Sequence, residues 1–355
     1  MTDCIKVDWI QLQDWSTEIL RRAGVPEKDA AMVAESLVQA NLRGVDSHGV
    51  VRIPIYVRRI QKGMVNPAAE LRVSSIAPAM ALVDGQNALG VVAGNAALTE
   101  VVHLAKNFGT GVVGVRNSNH FGTGAYYALK AIQNDVILVV MSNASQTMPP
   151  TGGVRPFIGT NPLTVAIPSG ERQPFILDMA TSVVARGKII VAAEKGESIP
   201  EGWAIDKYGR PTTDANAALE GSVLPFGGYK GYAISLFIDM LSGVLTGAGF
   251  GPYVRNMYED WEHPQNVGHL FWAIDINRFM PVKDFRSRMD QYIRDLKAEP
   301  KAPGFEEILI PGEIEARTEE TNKRNGIQLP ERVVRELNQL SEEFGVASFL
   351  TNTSK

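Results

Sequence analysis

Cysteine is almost absent from this chain, since Cys4 is the single one among 355 residues. One thiol cannot form a disulfide within the chain, which excludes a fold stapled by internal disulfides and favours a reducing, cytoplasmic location. The first ten residues also lack a charged leader followed by an apolar core, so we predict no secretory signal. Cys4 itself is expected to lie in a mobile terminus.

Long apolar runs and an excess of positive charge are missing as well. The most membrane-like stretch, residues 232–250, contains Asp239 and several small or hydroxyl residues, whereas a spanning helix needs about 20 mostly apolar ones. We therefore interpret it as a buried helix and expect no membrane partner. The formal net charge of -4 offers no basic surface, so no nucleic-acid partner is expected either.

The chain contains 45% hydrophobic and 21% charged residues, a composition that can bury a large core. Its length predicts two domains. Pro26 is predicted to open a helix that ends at Gly44. From about residue 73, short apolar segments alternate with helical ones, which indicates a mixed α/β fold. The predicted strands are 79–83, 112–115, 137–141, 164–167, 175–177 and 268–276, and the predicted helices are 93–106, 125–133, 225–247 and one opened by Pro330 and closed by Gly345. The tail from residue 351 is expected to be disordered.

The first candidate site is a D-S-H-G motif at 46–49, followed by Arg52 and Tyr56. If a helix begins near position 47, His48, Arg52 and Tyr56 share one face, because residues four apart are neighbours on a helix. That face could hold an anionic oxyacid, with Arg52 as a fork for a carboxylate and His48 as a proton carrier. If the helix begins near position 53 instead, Pro54 fits its first turn, His48 lies in a turn and the shared face is lost.

A second histidine motif, N-S-N-H-F-G at 117–122, ends an apolar run, at a position where loops carry chemistry. Gly122 and Gly124 would let a ring or a backbone segment approach His120 closely. The other histidines match no such motif and are expected to be structural or exposed; they are His103, His263 and His269.

A glycine-rich turn, P-F-G-G-Y-K-G at 225–231, precedes an apolar helix. Free amides at a helix start attract anions, the glycines allow close approach, and Lys230 adds positive charge. The turn is not a P-loop, because the four-residue gap and the Ser or Thr after the lysine are absent. The sequence therefore predicts a phosphate site of another kind here.

Gly109, Gly111 and Gly114 match G-x-G-x-x-G, a fingerprint that works as the turn from a strand into a helix. Here a helical stretch precedes the glycines and a strand-like segment lies inside the motif. We reject a Rossmann site and interpret Gly109 as a helix stop.

Six motifs in a fixed order carry a family resemblance over nearly the whole chain. They are L-R-G-V-D-S-H-G-V-V-R at 42–52, N-S-N-H-F-G at 117–122, G-T-N-P-L at 159–163, L-D-M-A-T-S-V-V-A-R-G-K at 177–188, L-P-F-G-G-Y-K-G-Y at 224–232 and P-G-E at 311–313. On these motifs the chain resembles the malate/L-lactate dehydrogenase family, NAD(P)-dependent enzymes without the usual nucleotide fold. That family also contains ureidoglycolate, sulfolactate, diketogulonate and piperideine-2-carboxylate oxidoreductases.

The resemblance implies hydride transfer between nicotinamide and C2 of a small 2-hydroxy or 2-oxo acid such as malate, lactate, ureidoglycolate or sulfolactate. It implies His48 as the acid/base, with His120 as orienter or second candidate, Arg52 as the carboxylate anchor, and Ser47 and Tyr56 as hydrogen-bonding partners. The implied cofactor-contacting positions are His120, Gly122, Asn161, Pro162, Ile176, Leu177, Asp178, Met179, Ala180, Thr181, Ser182, Lys188, Lys230, Gly231, Pro311, Gly312 and Glu313. No metal is expected.

The choice between NAD and NADP depends on Asp178. The stretch 175–188 runs from an apolar strand to this carboxylate and then into a helix that Thr181 or Ser182 can cap. By analogy with classical nucleotide folds, a carboxylate at a strand end accepts hydrogen bonds from ribose hydroxyls and repels a 2′-phosphate, which favours NAD. Otherwise Asp178 complements the helix dipole.

The resemblance further implies a non-Rossmann, mixed α/β fold with a largely antiparallel sheet that binds the cofactor, and a mainly helical second domain. We expect the helical domain to comprise residues 1–75 with roughly 222–300, and the sheet domain 76–221 with roughly 301–335. Residues 336–355 form the C-terminal helix end and tail. A homodimer with sites near the subunit boundary is implied as well.

Several alternatives remain open. The enzyme could reduce a cyclic imine carboxylate, such as piperideine- or pyrroline-2-carboxylate, or diketogulonate. A metal-dependent lyase or hydrolase could use Asp46, His48, His120 and Asp178 as ligands, although no clustered spacing supports it. A non-enzymatic anion-binding scaffold would need only Arg52 and Lys230. The segment 142–147 keeps the family's Ser-Asn but lacks the Thr and Pro that follow it in typical malate or lactate members, which argues against malate itself.

Overall fold

The computed structural model describes residues 4–348, so the tail from residue 351 lies outside the described residues. The helices are α1 (Trp9–Arg22), α2 (Glu27–Leu42), α3 (Ile53–Gln61), α4 (Gly90–Phe108), α5 (Gly124–Ala131), α6 (Arg186–Lys195), α7 (Ala215–Glu220), α8 (Tyr229–Asp239), α9 (Val282–Ala298), α10 (Glu313–Asn325) and α11 (Glu331–Phe344). The strands are β1 (Cys4–Val7), β2 (Arg72–Ala77), β3 (Met80–Asp84), β4 (Thr110–Ser118), β5 (Val136–Ser142), β6 (Leu163–Ile167), β7 (Phe175–Met179), β8 (Ala204–Ile205), β9 (Pro211–Thr212), β10 (Ser222–Val223), β11 (Val267–Asp275) and β12 (Ile327–Pro330).

A seven-stranded sheet in the order β2-β3-β4-β11-β5-β6-β7 forms the centre of the molecule. Within the described residues, only β3 and β4 pair in parallel, and every other neighbouring pair of this sheet is antiparallel. The expected mixed α/β fold with a largely antiparallel, non-Rossmann sheet is therefore confirmed. Gly109 ends α4 at φ 89° and β4 starts directly after it. The glycines that match G-x-G-x-x-G therefore do not connect a strand to a helix, and the rejection of a Rossmann site is confirmed.

Helices cover both faces of this sheet. On one face, Phe271 and Ala273 of β11 join the large core that includes α4, α5 and the N-terminal helices. On the other face, Leu270 packs with Met141 and with Ile238 of α8. Such two-sided burial explains why β11 is almost continuously apolar. β11, predicted as a strand, lies within the segment 222–300 that was assigned to the mainly helical domain, yet it is at the centre of the sheet; the division into domains stays a prediction.

Several local expectations need correction. Cys4 lies in β1, which pairs antiparallel with β12, so its placement in a mobile terminus is wrong. Neither Thr181 nor Ser182 caps the following helix, because α6 begins only at Arg186. The apolar segment predicted as one helix from 225 to 247 forms α8 and then a π-helical segment, Met240–Val244. Among the described residues, we find no helix with the length and apolar character that crossing a bilayer requires.

Candidate active site

The turn that carries His48 precedes helix α3 rather than belonging to it. Residues 46–48 and 50–52 form two short 3-10 turns, and α3 begins at Ile53 with Pro54 in its first turn. The prediction of one shared helical face is therefore wrong, and the alternative start near position 53 is confirmed. Proline is accommodated there because the first-turn amides have no intrahelical acceptor.

Asn41, on the last turn of α2, holds this turn in place. Its Nδ2 donates to Asp46 Oδ1 at 2.6 Å, and its Oδ1 accepts from the Val50 backbone N–H at 2.9 Å. A Cβ at position 49 would lie 2.1 Å from Asn41 Oδ1, so Gly49 is required for this close approach. The sequence motifs did not single out Asn41, because its side chain acts across the turn rather than within a motif.

His48 and His120 come together although they are far apart in the chain. Their ring centroids are 5.3 Å apart. Ser47 Oγ lies 2.9 Å from His48 Nδ1, and Tyr56 Oη lies 2.6 Å from His120 Nδ1. The structure thus places the predicted histidines, serine and tyrosine in one cluster.

The contacts of His120 determine which nitrogen carries its proton. The backbone N–H of Gly122 donates to His120 Nδ1 at 3.4 Å, and a backbone amide can only donate. Nδ1 is therefore the acceptor, the Tyr56 hydroxyl also donates to it, and we assign the ring proton of the neutral imidazole to Nε2. Burial raises the pKa of Tyr56, which keeps its hydroxyl a neutral donor.

Both histidines are held in the neutral form. Burial and the positive charge of Arg52 lower the pKa of His48 to about 4. Burial, with contributions from Arg52 and the neighbouring histidines, lowers the pKa of His120 well below its usual value. At neutral pH both rings are therefore uncharged, and the choice of His48 as the principal acid/base stays a prediction.

The Arg52 side chain lies beside this cluster. Its Nε donates to the Ser47 carbonyl oxygen at 2.7 Å, and its Nη1 donates to the Tyr258 hydroxyl. Tyr258 belongs to a segment that the sequence motifs did not identify. A further contact missed from sequence is Gln265, whose Oε1 accepts from the His120 backbone N–H at 3.1 Å.

Three of the predicted cofactor segments are neighbours in space. The Val183 N–H donates to the Leu224 carbonyl at 2.8 Å, and the Phe226 N–H donates to the Thr181 carbonyl at 3.1 Å. The stretch after β7 is thereby joined to the glycine-rich turn. The Ile176 N–H donates to the Pro311 carbonyl at 3.0 Å, which brings in the P-G-E motif.

The glycine-rich turn has room for an anion. Gly227 and Gly228 adopt φ 57° and 64°, and a Cβ at either position would meet nothing within 4 Å. The backbone N–H groups of Tyr229, Lys230 and Gly231 at the start of α8 have no protein acceptor within residues 4–348, and the Lys230 side chain is exposed. The buried Ser182 Oγ also lacks a partner in the described part of the chain. Open space, free amides, a cation and an unpartnered hydroxyl together fit a phosphate-bearing cofactor.

Asp178 connects the cofactor segments to the histidine loop. Its Oδ2 accepts from the Ala125 backbone N–H at 2.9 Å, in the first turn of α5, and its Oδ1 accepts from Thr164 Oγ1 at 2.7 Å. The N-cap residue of α5, Thr123, makes no side-chain cap, so Asp178 supplies the carboxylate at that helix start. The dipole role expected at the helix that follows Asp178 is instead seen at α5, and burial raises the pKa of Asp178.

Other predicted cofactor positions brace the backbone with their side chains. Asn161 accepts from the Ala144 N–H and donates to the Ser235 carbonyl, both at 3.0 Å. Glu313 pairs with Lys297 at 2.7 Å. The remaining positions line the same segments without a polar side-chain role in the structure: Pro162, Leu177, Met179, Ala180, Gly231 and Gly312. Lys188 lies apart from these contacts, with its side chain exposed on α6.

The three histidines without a motif divide as expected into structural and exposed ones. His269 is fully buried, its nitrogens lie 2.8 and 2.9 Å from Ser142 Oγ and Ser118 Oγ, and its ring stacks on Phe121 at 4.5 Å. His103 and His263 are exposed. Across residues 4–348, no three His, Cys, Asp or Glu side chains gather in an arrangement that could hold a metal ion.

Comparisons with known proteins agree with this architecture. The Malate/L-lactate dehydrogenase family model matches residues 7–338. The malate dehydrogenase of Pyrococcus horikoshii is 42% identical over 96% of each chain, and its solved structure superposes with a TM-score of 0.90, at 39% identity, over 98% of this chain and 99% of that one. The L-sulfolactate dehydrogenase of Methanocaldococcus jannaschii is 41% identical over 93% of this chain and 94% of its own.

A third relative, the NAD(+) ureidoglycolate dehydrogenase of Escherichia coli K12, is 39% identical over 83% of this chain and 84% of its own. All three relatives carry the name of a dehydrogenase, and the chain matches each over most of both lengths. The histidine cluster and the glycine-rich turn thus lie in a chain that is similar to these enzymes over most of its length. This chain is an oxidoreductase and belongs to the malate/L-lactate dehydrogenase family.

Proposed function

We propose that this enzyme transfers hydride between a nicotinamide cofactor and C2 of a small 2-hydroxy or 2-oxo acid. The observation that carries the proposal is the contact of two neutral histidines beside the Arg52 guanidinium, at 5.3 Å between the rings. A neutral imidazole can take the proton of a hydroxyl, and a guanidinium beside it can bind the adjacent carboxylate. The family membership supports the same reaction.

In the proposed mechanism, His48 takes the proton from the 2-hydroxyl group during oxidation and returns it during reduction. Ser47 Oγ, 2.9 Å from His48 Nδ1, orients the ring. His120 offers its Nε2–H to the substrate oxygen, since Tyr56 and Gly122 occupy Nδ1. A nicotinamide bound along the predicted cofactor segments would provide the hydride chemistry, and Arg52 would hold the carboxylate.

The cofactor is proposed to bind along the joined segments 176–182 and 225–231, with 311–313 beside them. Lys230 and the free amides of α8 would hold phosphate, and Ser182 Oγ would gain a partner. NAD is favoured over NADP because Asp178 would repel a 2′-phosphate. Both Asp178 oxygens already accept hydrogen bonds, so a ribose hydroxyl would use their remaining lone pairs.

A substrate panel assayed with both cofactors tests this function. We expect turnover with at least one of the 2-oxo acids, ureidoglycolate or sulfolactate, followed at the absorbance band of the reduced nicotinamide, and a higher kcat/KM with NAD(H) than with NADP(H). Turnover restricted to cyclic imine carboxylates or diketogulonate would favour that alternative instead. Inactivity on every compound, or activity that needs a stoichiometric metal, would contradict the proposal.

The loop that follows β5 is proposed to select among these acids. Ser145 and Gln146 line a cleft of about 610 Å³ together with Arg255 and the segment around it. The segment 142–147 to which they belong lacks the Thr and Pro that follow Ser-Asn in typical malate or lactate members, so malate is not the favoured substrate. The Ala144 N–H, bound by Asn161, fixes the start of the loop.

The enzyme is further proposed to act as a homodimer in the cytoplasm. One side of α8 and the π-helical segment exposes a run of large apolar side chains, which is typical of a protein interface. They are Tyr229, Phe237, Met240, Val244 and Leu245, each 55 to 66% exposed. A second copy of the chain is the partner that the family resemblance implies, and a chain with a single cysteine suits a reducing compartment.

Light scattering tests the dimer. The wild-type mass is expected to be twice the 38.7 kDa of one chain. Phe237→Glu should shift the protein toward the monomer, because a buried unpaired carboxylate at an interface is costly. Phe279→Glu, at an exposed position outside this run, should leave the mass unchanged. A monomeric wild type would contradict the proposed assembly.

A further inference from the structure

The guanidinium of Arg52 already donates two hydrogen bonds to oxygen atoms within the protein. Its Nε is bound to the Ser47 carbonyl oxygen at 2.7 Å, and its Nη1 donates to the Tyr258 hydroxyl. The Cζ atom lies 5.7 Å from the centre of the Tyr258 ring. The Nε–H is thus taken, which closes the side-on fork of Nε and Nη2 to a carboxylate. Both N–H groups of Nη2 have no hydrogen-bond partner within the described residues, and besides Tyr258 the Nη1 group has only the weak acceptor Met257 Sδ, at 3.9 Å.

Tyr258 can supply an additional donor beside these N–H groups. When its oxygen accepts from Arg52 Nη1, its own O–H proton remains available. A carboxylate could then accept one hydrogen bond from Arg52 Nη2 and one from the Tyr258 hydroxyl. The Arg52 charge would still face the anion, and the bond between the two side chains would remain intact.

A second arginine, Arg59, holds the backbone of the segment that carries Tyr258. Arg59 is 1% exposed and donates to the carbonyl oxygens of Met257 at 3.0 Å, Asp260 at 2.8 Å and His263 at 3.1 Å. A buried guanidinium that donates to three carbonyl oxygens fixes the backbone of residues 257–263, because each charge-assisted hydrogen bond is stronger than a neutral one. The Tyr258 side chain, in contrast, is 53% exposed. A fixed backbone with a solvent-accessible hydroxyl is suited to ligand contact.

We propose that Tyr258 binds the substrate carboxylate jointly with Arg52, as a specificity-determining residue for 2-hydroxy and 2-oxo acids. This inference rests on the proposed function, in which Arg52 anchors the carboxylate. Tyr258 thereby extends the site to a segment that belongs to none of the sequence motifs. It distinguishes a carboxylate, which accepts from two donors, from a neutral amide, whose NH₂ group cannot accept.

The test is Tyr258→Phe, which removes one hydroxyl from an exposed ring and should fold normally. We expect KM for the best 2-oxo acid to rise on the order of tenfold, since a hydrogen bond to a charged group is lost. The kcat value at saturation and the dissociation constant of the reduced cofactor should stay near wild type. With the matching 2-oxo amide, the variant and wild type should differ much less. Tyr292→Phe, exposed on α9, is the matched control and should change none of these values.

Three results would overturn the inference. An unchanged KM would show that Tyr258 does not contact the acid, and a lower KM would show that it only competes with the acid for Arg52. An equal loss with the acid and the amide would indicate a general effect on the site. If wild type turns over the acid while the variant behaves in one of these ways, only the Tyr258 inference fails. Inactivity of wild type on every acid would overturn the proposed function together with it.

Discussion

Replacing His48 by alanine is expected to lower kcat about a hundred- to ten-thousandfold, the usual contribution of a positioned acid/base group. The dissociation constant of the cofactor should be nearly unchanged, because His48 is not among the positions proposed to contact the cofactor. Steady-state kinetics and fluorescence titration of the reduced cofactor measure the two quantities. His103→Ala, at an exposed position on α4, is the matched control and should behave as wild type.

The pH dependence of oxidation gives an independent check on His48. Burial and Arg52 lower the pKa of His48 to about 4, so the base is already deprotonated at neutral pH. The kcat/KM for oxidation should therefore stay flat through the neutral range and fall only as the pH approaches that value, where the ring gains a proton. An unchanged kcat in His48→Ala, with a large loss in His120→Ala, would transfer the acid/base role to His120.

Replacing Arg52 by lysine is expected to raise KM for the acid by about ten- to a hundredfold, because a point charge cannot form the fork of a guanidinium. The change also removes the hydrogen bonds to the Ser47 carbonyl and the Tyr258 hydroxyl. Cofactor affinity should stay near wild type, because Arg52 belongs to none of the segments proposed to hold the cofactor.

Substrate-dependence curves with the acid varied at saturating cofactor measure this effect. Arg58→Lys is the matched control, because Arg58 lies in the adjoining helix α3 and is exposed; the KM of this variant should be unchanged. An Arg52→Lys enzyme with wild-type KM would contradict the carboxylate anchor. A large fall in kcat with unaltered KM would instead place Arg52 in transition-state stabilisation.

Sequence periodicity predicted most strands of the large sheet, because alternating or continuous apolar residues are a local property. It missed the strands β1, β2, β8, β9, β10 and β12 and the helices α7, α9 and α10. The strands β1 and β12 are short and pair only with each other across the length of the chain. Helix α9 buries few apolar side chains and α10 none, so their patterns carry little hydrophobic signal.

The site was predicted in part. The motifs identified His48, His120, Ser47, Arg52 and Tyr56, and the structure brings them together, although not on a helical face. A proline in the first turn of α3 decided that geometry. Asn41, Gln265 and Tyr258 were not predicted, because each acts through a contact with a distant segment and lies outside the family motifs.

By itself, the sequence determined the family, the antiparallel α/β character, the rejection of a Rossmann turn and the residue types of the site. Only the tertiary structure decided that the two histidines touch, that the segments after β7 and before α8 join, and that Asp178 caps α5. The physical reason is that capping, periodicity and glycine turns depend on neighbours along the chain. Contacts between distant side chains depend on strand register and packing, which no local pattern encodes.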